Sequence, residues 1–187
     1  MIVCRRKPNR LKGFNYSSNG YYYVTICVNK RKCIFGEIVN KKMNLNKYGN
    51  FVKQQWLWLE NQYKYIKLDE FQIMPNHIHG IIIIIPTVGT GLDLSLQEKY
   101  LSLSNIVGAY KTTSSKLIHN LGLNSFKWQR SFYDHIIRNE KTLDKIRQYI
   151  RDNPKNWNMD RNNLKKGGDI YGQSKSTTKR KNLRINA

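Results

Sequence analysis

Acidic residues are scarce in this 187-residue chain: 12 Asp and Glu stand against 33 Lys and Arg, a formal charge of +21. That balance argues against a generic neutral enzyme and for a polyanionic partner, nucleic acid first and an anionic membrane second. Cysteine is nearly absent. Cys4, Cys27 and Cys33 are odd in number and show no C-x-x-C spacing. A disulfide framework or a structural zinc is therefore not expected, and a reducing compartment is the simpler reading. Long apolar runs are lacking too. The longest, Ile81 to Ile85, is far short of the roughly 18–20 residues that span a bilayer. Met1-Ile-Val-Cys-Arg-Arg turns to charge where a signal peptide turns apolar. The expectation is a soluble, cytoplasmic protein.

Hydrophobic residues make up 40% and aromatics 12%, with 12 Tyr and 4 Trp. That is enough for a core and too much for wholesale disorder. Basic charge is concentrated at both ends. Arg5, Arg6, Lys7, Arg10 and Lys12 form a +5 arm over residues 1–12. From Lys155 onward nine basic residues face Asp160 and Asp169, a net +7, among few apolar residues. Residues 158–187 are thus expected to be a disordered or loosely docked basic tail. Removing both ends leaves +9 of the +21 on residues 13–154, so the intervening domain, residues 13–157, is itself basic.

Within that domain strand and helix patterns alternate. Tyr21 to Val28 is β-branched and aromatic and reads as a strand, with a second short strand near Ile34 to Val39. Leu45 to Leu59 reads as a helix burying Leu45, Tyr48, Val52, Gln55 and Leu59. Tyr65 to Met74 and His77 to Ile85 read as strands joined by a Pro75-Asn76 turn. The isoleucine run marks the second as buried on both faces. Ser104 is placed to cap a helix reaching His119, whose stripe is Ile106, Val107, Tyr110, Leu117 and Ile118. Trp128 to Ile137 reads as a last strand. Asn139 caps a final helix with Leu143, Ile146 and Ile150 on its buried face, and Pro154 stops it. The sum is an α+β fold, a mainly antiparallel sheet with helices packed on one face.

The chemistry-bearing segment is Met74-Pro-Asn-His-Ile-His-Gly-Ile81. Alternation along a strand puts His77 and His79 on one face, where two imidazoles can converge on a metal ion. The same spacing equally suits two solvent-facing strand residues. Gly80 removes a side chain beside them and is expected to let a substrate backbone approach. On the final helix Tyr149 and Asn153 are i, i+4 neighbours at the edge of the apolar stripe. There the tyrosine is either a packed ring with its hydroxyl in water or a nucleophile beside a carboxamide.

Three motifs in order carry a resemblance: the segment above, Trp128-Gln-Arg-Ser-Phe-Tyr-Asp-His-Ile-Ile-Arg138, and Tyr149-Ile-x-x-Asn-Pro154. Over roughly residues 13–157 the chain resembles the REP-associated tyrosine transposases of the HUH superfamily. The resemblance implies a ferredoxin-like fold, His77 and His79 as metal ligands, Asn153 as a third ligand and Tyr149 as nucleophile. It also implies Mg²⁺ or Mn²⁺ as cofactor, single-stranded or hairpin DNA as partner, a monomer or homodimer, and a place near the nucleoid. The implied reaction is cleavage and joining of single-stranded DNA through a 5′-phosphotyrosine.

Tyr133 is a rival nucleophile without an i+4 amide, and His135 reads as a structural histidine or a fourth ligand. Arg130 and Arg138 flank the last strand and are candidate DNA-binding residues; Arg138 could instead pair with Glu140 or Asp134. The competing reading is a non-catalytic, domesticated nucleic-acid-binding protein of the same fold.

Overall fold

The computed structural model describes residues 10–85 and 101–164. Most of the basic arm, residues 86–100 and the tail beyond residue 164 lie outside the described residues. Six strands and three helices follow in the order β1 (Gly20–Cys27), β2 (Gly36–Val39), β3 (Lys42–Leu45), α1 (Lys47–Gln62), β4 (Ile66–Met74), β5 (His77–Ile84), α2 (Leu103–Asn120), β6 (Tyr133–Ile137) and α3 (Glu140–Asp152).

The main sheet has the order β4-β5-β1-β6, with every neighbour antiparallel. The connections β1-α1-β4 and β5-α2-β6 each skip one intervening strand. This is the doubly split βαβ arrangement of a ferredoxin-like fold. Right-handed crossovers place both helices on the same face of the sheet. The expected backing of one face thus holds for α1 and α2. It does not hold for α3, which crosses no strand and packs on the other face. There Leu143, Ile146 and Ile150 cluster with Tyr23, Ile81 and Ile137.

Alternation sorts each strand between these two layers. Tyr22, Val24 and Ile26 of β1, with Ile78, Ile82 and Ile84 of β5, join Val52, Trp56, Leu59, Ile106 and Tyr110 in the larger core. The central position of β5 explains its burial at every position but the partly buried Ile83, as the isoleucine run indicated.

Several boundaries differ from the sequence pattern, each for a tertiary reason. Ser102, not Ser104, caps α2 and accepts from the Asn105 amide. The α1 stripe centres on Trp56, fully buried, and Gln55 is only half-buried. Trp128 does not begin the last strand. It makes an isolated bridge to Val28, and its indole donates to Ser114 Oγ at 3.0 Å, while β6 starts at Tyr133. The hairpin partner β3 was not legible because its turn, Asn40-Lys41, adopts positive φ at both residues (49° and 62°) without a glycine to signal it.

Candidate metal and tyrosine site

On the α3 face the end of β5 carries His77 and His79 opposite Cys27 and Thr25 of β1. Both histidines are buried, at 0% and 2% exposure, which removes the solvent-facing alternative. Their Nε2 atoms lie 2.8 Å apart. Asp160 completes the group, with Oδ2 3.6 Å from His77 Nε2. One ligand atom from each of the three residues falls within 4.8 Å of the others, a spacing suited to a shared metal ion.

Hydrogen bonds fix how these donors are presented. The Asn76 amide nitrogen donates to the carbonyls of Arg31 (2.9 Å) and Asn162 (2.8 Å), so its oxygen is turned toward His77. That oxygen only accepts, so His77 Nδ1, at 2.8 Å, carries the hydrogen and Nε2 keeps its lone pair. His79 Nδ1 meets the hydroxyls of Tyr23 (2.7 Å) and Thr25 (2.9 Å), each able to donate or accept. His79 can therefore release its Nε2 lone pair to a metal by moving its hydrogen to Nδ1.

Burial disfavours the imidazolium form of both rings. It holds His77 well below the ordinary histidine range, with the neighbouring ring and the cations Arg31 and Arg161 adding to the effect. His79 is pushed down to about 3 by burial and then by Arg161. Both are neutral near pH 7, as metal ligands must be.

Tyr149 projects from α3 across this pair, its ring centroid 5.4 Å from that of His79 and 6.4 Å from that of Tyr23. At 43% exposure it is open to a substrate. Burial and the Asp160 carboxylate raise its pKa, opposed by hydrogen bonding with Asn153 and Tyr23 and by the Arg161 charge. Asn153 caps α3 at 4% exposure, and its side-chain oxygen is buried with no hydrogen-bond partner. An orphaned buried carbonyl is costly unless something electropositive meets it. Two neutral imidazoles and the Asp160 carboxylate form a donor set that fits a divalent cation accepting mixed N and O ligands.

The position of α3 is set by ions at its outer edge. Arg147 forks onto Asp69 with contacts of 2.6–3.1 Å and also reaches Glu140 and Asp144. Arg151 reaches Glu70 at 2.8 Å. Asp69 and Glu70 lie at the irregularity between Leu68 and Phe71 where β4 slips its register. This bulge turns both carboxylates toward the helix, so a sheet defect anchors the element that carries Tyr149.

The structure thus brings His77, His79 and Tyr149 together, with Asn153 beside Tyr149. It does not bring in Arg130 or Arg138. Arg130 is exposed, with its carbonyl taken by Lys111, and Arg138 is exposed beyond β6, where its charge acts on His135. Of the pairings considered for Arg138, Glu140 is engaged by Arg147 and Asp134 faces Arg10. Tyr133 borders the site through Tyr23, ring centroids 6.1 Å apart, and His135 is half-buried outside the donor group.

Gly80 has a different role from the expected one. It faces the α1 layer, and a Cβ there would lie 2.4 Å from Trp56 Cζ2. It makes room for a core indole, not for substrate. Asp160 was missed because composition put it in the tail. The first part of that tail is docked, with Asn162 and Asn163 at 3% and 8% exposure. A burst of Asn beside Asp160 and Arg161 was the only local signal.

No family model matches the chain. An uncharacterized protein of Haemophilus influenzae is 39% identical over 167 residues, which cover 84% of this chain and 93% of that protein. Among solved structures, a REP-associated tyrosine transposase bound to a REP hairpin superposes with a TM-score of 0.55 at 19% identity, over 79% of this chain and 73% of that one. That likeness is one of fold.

Proposed function

From the premise that the chain belongs to one family with the uncharacterized Haemophilus influenzae protein and shares the fold of a REP-associated tyrosine transposase, we propose that it is a metal-dependent transesterase. It cleaves and rejoins single-stranded DNA at hairpins through Tyr149. The observation that carries this reading is the meeting of two buried neutral imidazoles, Nε2 to Nε2 at 2.8 Å, with a half-exposed phenol from a separate helix.

A divalent cation, Mg²⁺ or Mn²⁺, would be held by His77 and His79 with Asp160 or Asn153, and would supply neutralisation of phosphate charge and favour the phenolate. The protein's own groups do the rest. Asn76, Tyr23 and Thr25 hold the imidazoles in orientation. The ion pairs of Arg147 and Arg151 hold α3 in register so that Tyr149 stays aimed past His79. Burial and Asp160 raise the phenol's pKa, so it is protonated at neutral pH in the free protein.

In the reaction the Tyr149 oxygen forms a bond to phosphorus as the bond from phosphorus to the 3′-oxygen breaks. The phenolic proton is balanced by the proton gained on the departing oxygen. The products are a 5′-phosphotyrosine and a free 3′-OH. The ester bond is conserved, so a second 3′-OH can reverse the step without ATP.

The test is incubation of the protein with a panel of labelled single-stranded hairpin oligonucleotides and Mg²⁺ or Mn²⁺. A protein–DNA adduct that survives denaturation is expected. Tight hairpin binding with no adduct under either metal would make the chain a non-catalytic hairpin-binding protein instead.

A further inference from the structure

The segment that delivers Asp160 also delivers Arg161, to which neither the sequence motifs nor the comparisons give a role. It follows α3 through a single turn at Trp157–Met159 and is tied down through its backbone. Asn76 donates to the Asn162 carbonyl, and Arg31 Nη1 donates to the Arg161 carbonyl at 2.9 Å. The Arg161 side chain is exposed and lies over the Tyr133 ring, its guanidinium carbon 5.9 Å from the centroid. Tyr133 is the cross-strand neighbour of Thr25, whose hydroxyl is 2.9 Å from His79 Nδ1. On its other side Arg161 adjoins Asp160, beside His77 Nε2. The guanidinium thus lies over Tyr133 at the border of the donor cluster, one residue along the chain from Asp160. Its charge is felt at His77, His79, Cys27 and Tyr149 alike.

We propose that Arg161, stacked on Tyr133 beside the His77–His79–Asp160 cluster, is a catalytic residue that grips the non-bridging oxygens of the scissile phosphodiester. A guanidinium is a planar fork matched to two phosphate oxygens, and an aromatic shelf holds it without consuming its donors. Its backbone is anchored while its side chain is open, so the fork is pre-positioned yet available. The role of Tyr133 follows: it is the shelf for this arginine, which accounts for a second exposed tyrosine at the site. The identity of the phosphate as a DNA diester rests on the transesterase reading.

Two measurements on the full-length chain test this. In the first, dimethyl phosphate is titrated onto Mn²⁺-loaded protein and broadening of its ³¹P line is followed, with Mn²⁺ affinity measured separately by electron paramagnetic resonance. Wild type is expected to broaden the line. Arg161→Ala should lose that broadening about tenfold or more with Mn²⁺ affinity unchanged, and Arg161→Lys should recover part of it. Equal broadening by wild type and Arg161→Ala overturns the proposal, as does no broadening by wild type. Loss of Mn²⁺ affinity in Arg161→Ala also overturns it, because the side chain would then be holding Asp160 in place.

In the second measurement, adduct formation with labelled hairpins should slow about 10²–10³-fold in Arg161→Ala, the scale for removing one oxyanion donor, with hairpin affinity changed little. An unchanged adduct rate overturns the proposal. Arg161-dependent broadening in a wild type that forms no adduct supports the phosphate grip and counts against the transesterase reading.

Discussion

The two faces of the β4-β5-β1-β6 sheet are built from the same strands and put to opposite uses. One is covered by α1 and α2 and is dry and aromatic, with Trp56 edge-on to Tyr110 at 5.3 Å and Trp128 wedged among Phe35, Tyr110 and Phe126. The other is covered by α3 alone. Its apolar cluster is small, and α3 is located as much by Arg147 and Arg151 on the β4 bulge as by Leu143, Ile146 and Ile150. Past the end of that cluster the same face turns polar and carries the histidines. A shared strand such as β5 thus supplies Ile78 and Ile82 to stability and His77 and His79 to chemistry, one residue apart. The difference teaches that alternation lets a reactive group sit beside a core residue without either disturbing the other.

The sharpest way to break this division is at the reactive face. Tyr149→Phe and His77→Ala are each expected to abolish the covalent adduct on a denaturing gel. Tyr149→Phe should stay within about 0.5 kcal/mol of wild-type stability, as for a half-exposed side chain. Tyr133→Phe should still form the adduct, because the nucleophile is assigned to α3.

The next effect is on the pH dependence of the metal-free protein. His79 is held neutral by burial down to about pH 3, so between about pH 3 and 6.5 the unfolded chain binds more protons than the folded one, and His77, lowered by burial and its neighbours, acts in the same direction. Stability should be fully present above about 6.5 and fall as pH drops through that window, by about 1.4 kcal/mol per pH unit for His79, with His77 adding in the same direction. Urea titrations at pH 7 and pH 5 measure it. A His77→Gln, His79→Gln double variant should show a flatter dependence; an equal slope would mean that other groups carry it.

On the opposite face Gly80→Ala should cost about 1–3 kcal/mol by overpacking against Trp56. Adduct formation per folded molecule should be kept, because the new methyl points away from the histidines. If Gly80→Ala instead raises the apparent Km for DNA without lowering the melting temperature, the glycine serves substrate and the division between faces is less clean.

The smallest effect belongs to the ionic anchor. Asp69 is raised by burial but lowered more by Arg147 and by the Glu70 amide, leaving its pKa below the ordinary carboxylate value. Its contribution is therefore present above about pH 4 and lost as the pH falls through its folded value. Asp69→Asn should cost about 1 kcal/mol at pH 7 and little at pH 3. Because α3 also carries Tyr149, the adduct rate should fall as well, which thermal melts and adduct kinetics on the same samples would separate.

Local periodicity was enough for the parts of the site that lie on regular elements. The period of two in His77 and His79 placed both imidazoles on one face, and the i, i+3, i+7 stripe of Leu143, Ile146 and Ile150 put Tyr149 and Asn153 at its border. Asn139 marked a helix start for a local reason, a side-chain cap on the Thr142 amide.

Only the tertiary structure decided what has no local pattern. Which face α3 covers follows from its lying outside the two crossovers. Gly80 serves Trp56 because α1 packs there, a contact between residues 24 apart in the chain. Asp160 and Arg161 reach the histidines on a segment with no repeating element, held by amide and guanidinium bonds to backbone carbonyls. Such bonds pair residues 86 and 130 positions apart and leave no period in the sequence, since one donor and one carbonyl are all they require.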